Sequence, residues 1–202
     1  IMPQTIKPMG LIHKAGKGPN NRFDFKNKAN NRANEDETKL SSASEIYVDM
    51  DGVLVDFFGP WTKMMGVDDW RQIKDVDAAL QKIRDTKDFW INLKPTANAD
   101  NLLSVIKEIK GEYNILSAPM ADDPRVEPSK KEWVEKNLTA FPPKKVIITS
   151  AKSQYATQSD GTPNILIDDF GQNVSKWEAS GGVGFKHKDH KFERTAKNIK
   201  QH

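Results

Sequence analysis

From Ile46 onward, apolar residues fall into short runs that alternate with polar stretches of helical spacing. Ile46-Tyr47-Val48 opens a strand expected over 46–50; further strands are expected at Tyr113–Leu116, Lys145–Thr149 and Ile165–Ile167. Val183-Gly184-Phe185 fits a last short one. Each run is compact and rich in β-branched residues, as in strands buried on both faces. Between them, Phe57–Met65 places Trp61, Met64 and Met65 on one side of a helix. Residues 68–88 carry Trp70, Ile73, Val76, Leu80 and Ile83 among charges, which suits one or two amphipathic helices. Asp100–Lys110 repeats the spacing with Leu102, Leu103, Ile106 and Ile109, and Gly111 suits its cap. Ser129–Leu138 is expected to be helical with Ser129 as N-cap. Strands alternating with helices predict an α/β fold, a parallel sheet with helices on both faces.

The pattern also divides the chain. Residues 1–44 lack periodicity and are rich in Asn, Lys, Gly and Ser, so they read as an extended, basic N-terminal arm. Residues 45–56 and 96–202 form the expected core, and 57–95 is long enough for a small helical cap over the edge of the sheet. The formal net charge of +3 conceals a segregation. Residues 1–34 hold seven Lys/Arg against Asp24 alone, and 176–202 hold seven against three acids, which leaves the body between them at −7. An acidic body suits cation binding, and basic ends could touch nucleic acid or an acidic partner, although a solubilising role accounts for them more simply. Cysteine is absent, which excludes thiol catalysis and disulfides and fits a reducing, cytoplasmic setting. No apolar run approaches the ~18 residues of a membrane span, so no membrane partner is expected.

Candidate chemistry lies at the strand ends. Asp49 and Asp51 sit one residue apart where the first strand meets Gly52, and alternation points them the same way. Two carboxylates at the carboxyl end of an apolar strand are costly without a cation between them. Ser117 follows Asn114-Ile115-Leu116, and Asp168-Asp169 follows Ile165-Leu166-Ile167. In a parallel sheet all these ends share one edge, where ligands bind. Carboxylates without His or Cys form a hard oxygen site that favours Mg²⁺. A hydroxyl and a helix-borne lysine beside them make a phosphate cradle. One aspartate can then attack phosphorus while the other moves protons.

Asp-x-Asp-Gly-Val, the strand-terminal Ser, the helix-borne Lys and Ile-Asp-Asp together resemble the four signatures of haloacid dehalogenase-like (HAD) phosphatases over residues 46–185. The resemblance extends to the 5′(3′)-deoxyribonucleotidases: Val48–Leu54 followed by Asp56-Phe57 is similar to that family's opening, and Phe89–Pro95 is similar to its segment after the cap. Lys130-Lys131-Glu132-Trp133-Val134-Glu135-Lys136 is similar to its Lys-x-x-Trp-Val-Glu-Lys helix. The resemblance implies a Rossmann-like, HAD-type core with an inserted cap, Mg²⁺ as cofactor and a deoxyribonucleotide phosphomonoester as substrate. It makes Asp49 the nucleophile and a metal ligand, and Asp51 the acid/base and a ligand through its backbone carbonyl. Ser117 and Lys130 would hold the phosphate, with Lys131 as fallback, and Asp168 and Asp169 would complete the metal site. Phe57, Trp90 and Ala118 are the expected lining of the substrate pocket. Ala118 replaces a second hydroxyl, Phe170 stands where the family often has Arg, and the insert is short; all three departures touch substrate recognition.

Two other functions compete. A phosphatase for polynucleotide ends or small sugar phosphates would suit a short cap and basic ends. A binding module tethered through the arm to nucleic acid or an assembly is the reading of another class. Dimerisation is left open. Lys152 lies where it can pair with Asp168 or Asp169, and His187 and His190 read as part of a solvated basic tail.

Overall fold

The computed structural model describes residues 44–202, so the arm expected over 1–44 lies almost wholly outside the described residues. Five parallel strands form one sheet: β1 (Ile46–Val48), β2 (Asn114–Ser117), β3 (Lys145–Ile148), β4 (Ile165–Asp168) and β5 (Val183–Lys186). Their order is β3-β2-β1-β4-β5, so β1 is central and the chain reverses direction of travel across the sheet beside it. Among the described residues six α-helices accompany them: α1 (Phe58–Met65), α2 (Val76–Asp85), α3 (Ala99–Lys110), α4 (Val126–Asn137), α5 (Gly171–Ala179) and α6 (Phe192–Gln201).

Alternation along the strands sorts side chains to two faces. Ile46, Val48, Ile115, Ile165 and Ile167 join one apolar cluster with Leu102, Leu103 and Ile106 of α3, Trp133 of α4 and Ile199 of α6. Tyr47, Leu116 and Leu166 point the other way and meet Ala156 and Trp177 of α5. Both faces are thus covered, as the alternation of strands and helices predicts. Burial is near complete at Leu102, Leu103, Trp133 and Trp177, worth about 2 kcal/mol or more for each such side chain. The residues expected as a cap, 57–95, contain α1 and α2, tied by a hydrogen bond from Trp61 Nε1 to the Ala79 carbonyl. Their apolar residues Phe57, Trp61, Ile83, Phe89 and Trp90 belong to the cluster that includes the sheet.

Two elements differ from the sequence expectation. The helix expected from Ser129 starts three residues earlier, at Val126. Pro128 lies in its first turn, where a proline's missing N–H costs nothing. The basic tail expected beyond the last strand is instead a 3₁₀ turn (Asp189–Lys191) followed by α6, whose Thr195, Ala196 and Ile199 are buried. Lysines on the outer face of α6 mask that stripe in the sequence, and His187 is fully buried, its Nδ1 2.8 Å from Thr195 Oγ1. Among the described residues no helix is long and apolar enough to cross a membrane.

Candidate active site

The loop after β1 brings Asp49 and Asp51 to the carboxyl edge of the sheet. Asp49 N–H donates to the Ile167 carbonyl at 2.9 Å, extending β1 against β4. The chain then curls so that the N–H groups of Val53, Leu54 and Val55 all donate to the Met50 carbonyl. Gly52 makes the curl possible: its φ is +81°, and a Cβ there would lie 2.2 Å from Asp169 Oδ2. The same glycine therefore permits the turn and the close approach of the β4 carboxylates.

Asp49, Asp168 and Asp169 converge, each offering a carboxylate oxygen within 4.8 Å of the others. Asp49 and Asp168 are buried and Asp169 is half-buried. Burial, and then the neighbouring carboxylates, push both Asp49 and Asp169 above the ordinary carboxylate range. Lys152, on a 3₁₀ turn after β3, partly offsets this crowding. Its Nζ lies 2.7 Å from Asp168 Oδ2 and 2.9 Å from Asp49 Oδ1, the second contact having the geometry of an ion pair rather than a hydrogen bond. Burial opposes the charge on Lys152, and the two carboxylates outweigh burial and hold it as an ammonium. Asp168 also accepts from Phe170 N–H at 2.9 Å and Asn173 Nδ2 at 3.0 Å, so it is firmly fixed.

Asp51 belongs to a different group. Lys130 Nζ, on α4, donates at 2.8 Å to Asp51 Oδ2, Ser117 Oγ and the Ala118 carbonyl. Three acceptors use all three N–H bonds of the ammonium. Trp90 lies beneath it, with Nζ 5.0 Å from the ring centroid. Burial draws the Lys130 ammonium below its ordinary value, and Asp51 opposes this. Burial likewise works against the Asp51 carboxylate, but the adjacent ammonium overrides it and holds Asp51 below the usual range.

The structure brings together Asp49, Asp51, Ser117, Lys130, Asp168 and Asp169, and it separates Lys131, whose Nζ pairs with Glu127 on the outside of α4. The pocket residues expected from the sequence are corrected. Beside Asp49 and Asp169 opens a cavity of about 690 Å³, and its walls include none of Phe57, Trp90 and Ala118. Phe57 is fully buried and stacks on Trp90 at 5.2 Å, because the turn after Asp56 sends its ring into the aromatic core. Trp90 supports Lys130, and Ala118 contributes its carbonyl. Trp61 is fully buried as well. Phe58, Trp70 and Phe170 line the cavity instead. The one sequence signal for Lys152 is its place just past the end of β3, which suggests pairing with Asp168 or Asp169; nothing in the sequence points to its contact with Asp49.

No protein-family model matches the chain, and neither does any curated protein. Solved structures with a similar layout include HAD-superfamily hydrolases. A HAD hydrolase of family IA, variant 3, from Entamoeba histolytica is 12% identical with a TM-score of 0.44, over 70% of this chain and 82% of that one. A HAD family hydrolase from Deinococcus radiodurans, with bound phosphate and sodium, is 14% identical with a TM-score of 0.47, over 76% and 88%. A HAD family enzyme from Bacteroides thetaiotaomicron, in complex with magnesium and inorganic phosphate, is 15% identical with a TM-score of 0.40, over 73% and 96%. At such identities and TM-scores, what those proteins bind does not carry over to this chain, and its chemistry rests on its own residues.

Proposed function

We propose that this protein is a Mg²⁺-dependent, HAD-type phosphomonoesterase that works through an aspartyl-phosphate and takes a nucleoside monophosphate, in the manner of the 5′(3′)-deoxyribonucleotidases. The observation that carries the reading is the crowding of Asp49, Asp168 and Asp169 around one point beside a cavity, offset by a single buried ammonium. Carboxylates raised by burial and then by one another fit a divalent cation, and an all-oxygen donor set fits Mg²⁺. Asp49, Asp168 and Asp169, with the backbone carbonyl of Asp51, would hold it. When bound, the ion would neutralise phosphate oxygens and developing charge.

Every other step belongs to the chain's own groups. Lys152 pairs with Asp49 and makes one hydrogen bond, to Asp168, so it retains N–H bonds to donate to a phosphate oxygen, whereas all three on Lys130 are engaged. Ser117 and Lys130 would reach a phosphate by exchanging one of those internal bonds. An oxygen of Asp49 attacks phosphorus as the bond to the leaving oxygen breaks. Asp51 then acts twice. In its protonated form it gives its proton to the leaving oxygen; as the carboxylate held by Lys130, it takes a proton from the water that attacks the aspartyl-phosphate. That attack frees Asp49 and inorganic phosphate. Protonation for the first step follows from the arriving phosphate, whose negative charge raises a neighbouring carboxyl.

The test is phosphate release from a nucleotide panel with Mg²⁺ and with excess chelator. Turnover that needs Mg²⁺ and is lost in Asp49→Asn supports the reading. Absence of turnover in the native protein, or full activity in Asp49→Asn, ends it.

A further inference from the structure

The cavity beside Asp49 has more cations than its two acids require. Its walls carry Arg71, Lys176, Lys186 and Lys188. Arg71 is paired with Asp69 at 2.9 Å. The three lysines are exposed, and none forms an ion pair with any described residue. They come from two elements: Lys176 from α5, and Lys186 and Lys188 from the end of β5 and the turn after it. These elements meet only because β5 lies beside β4 and α5 packs on both strands. Lys186 reaches back over the start of α5, with its Nζ 3.5 Å from the position a Cβ on Gly171 would take. The same walls include Phe58 and Trp70, with ring centroids 6.1 Å apart, and Phe170, all half-buried.

Like charges gathered without partners repel one another, and solvent alone gives no reason to gather them in the lining of the cavity that also holds Asp49. A ligand with its own negative charge removes the repulsion. Aromatic rings and unpaired cations lining one cavity match a base and a phosphate on the same molecule. Resting on the phosphatase reading above, and replacing its nucleoside monophosphate with a larger substrate, we propose that the leaving group carries a second phosphate. The phosphoryl group removed sits at Asp49, a base lies against Phe58, Trp70 or Phe170, and Lys176, Lys186 and Lys188 hold a neighbouring phosphate or phosphodiester. That chemistry occurs in a nucleoside 3′,5′-bisphosphate and at the phosphorylated end of a single strand, and it is missing from a nucleoside monophosphate.

The experiment compares kcat/KM, with Mg²⁺, for a deoxynucleoside monophosphate, the matching 3′,5′-bisphosphate and a short single-stranded oligonucleotide with a terminal phosphate. Alongside it, equilibrium binding of the bisphosphate is measured for the native protein and for Lys176→Ala/Lys186→Ala/Lys188→Ala. We expect a preference of about tenfold or more over the monophosphate, weakening as salt rises, and falling toward one in the triple variant. Preference for both second-phosphate substrates, or for the bisphosphate or the oligonucleotide alone, supports the proposal and tells the two sources apart. Equal use of all three substrates overturns it, as does a preference that survives in the triple variant. If no substrate is hydrolysed, the phosphatase reading fails by itself. The second-phosphate site is then decided by binding: salt-sensitive affinity that the triple variant loses supports it, and unchanged affinity refutes it.

Discussion

The two halves of the site contain the same kinds of groups in opposite states. Around Asp51, one ammonium meets one carboxylate, one hydroxyl and one carbonyl, and every N–H bond of Lys130 is engaged. Around Asp49, one ammonium faces three carboxylates, and two of these are pushed above the ordinary range. The first half is balanced and closed by Trp90. The second is unbalanced and opens to a cavity. The difference teaches where each half's free energy goes. A satisfied buried pair holds a proton-transfer group in place, and an excess of buried negative charge keeps a place for a cation and a phosphate.

The largest effect should come from unbalancing the balanced half. Lys130→Met leaves Asp51 buried without its ammonium and should lower unfolding free energy by about 3–5 kcal/mol, with or without Mg²⁺. Chemical denaturation checks this, and a loss much smaller than that would mean the pair is not the buried support described here.

A pH comparison of the halves must first account for His187. Burial pushes its pKa from 6.5 to about 4, with Nε2 unpartnered. The unfolded chain therefore takes up this proton first. Stability is fully present above pH 6.5 and falls as the pH drops from there toward 4, by about 3 kcal/mol at most. His187→Gln should flatten that segment of the stability profile.

The open half should respond to metal where the closed half does not. At Mg²⁺ a hundredfold above its dissociation constant, the native protein should gain about 2–3 kcal/mol, read as a rise in thermal midpoint. Asp169→Asn should lose most of that gain. Without metal the same variant should be more stable than the native protein, by about 1 kcal/mol, because one crowded charge is gone. A variant less stable without metal would contradict the crowding.

Much of the layout is legible in the residues, and the exceptions share a cause. Compact runs such as Ile165-Leu166-Ile167 mark strands because a strand buried on both faces admits little else, and the Asp-Asp after it falls at the strand end. Helical periodicity alone does not separate Lys130 from Lys131; the Lys-x-x-Trp resemblance favours Lys130, and the packing of α4 is what points it at Asp51. Phe57 misleads because its place in sequence, just past the aspartates, is not its place in space; its ring turns into the core. The wall of Lys176, Lys186 and Lys188 is invisible for another reason. In sequence these residues read as a solvated basic end, and only the β4-β5 pairing gathers them beside Asp49.

The unbalanced half is where the phosphoryl group should bond, and acid-quenched protein from a single turnover can show it. Fragmentation by mass spectrometry should find phosphate on Asp49 and none on Asp51. Phosphate on Asp51 or Asp169, or substrate consumed with no phosphate on any aspartate, would contradict the division of labour described here.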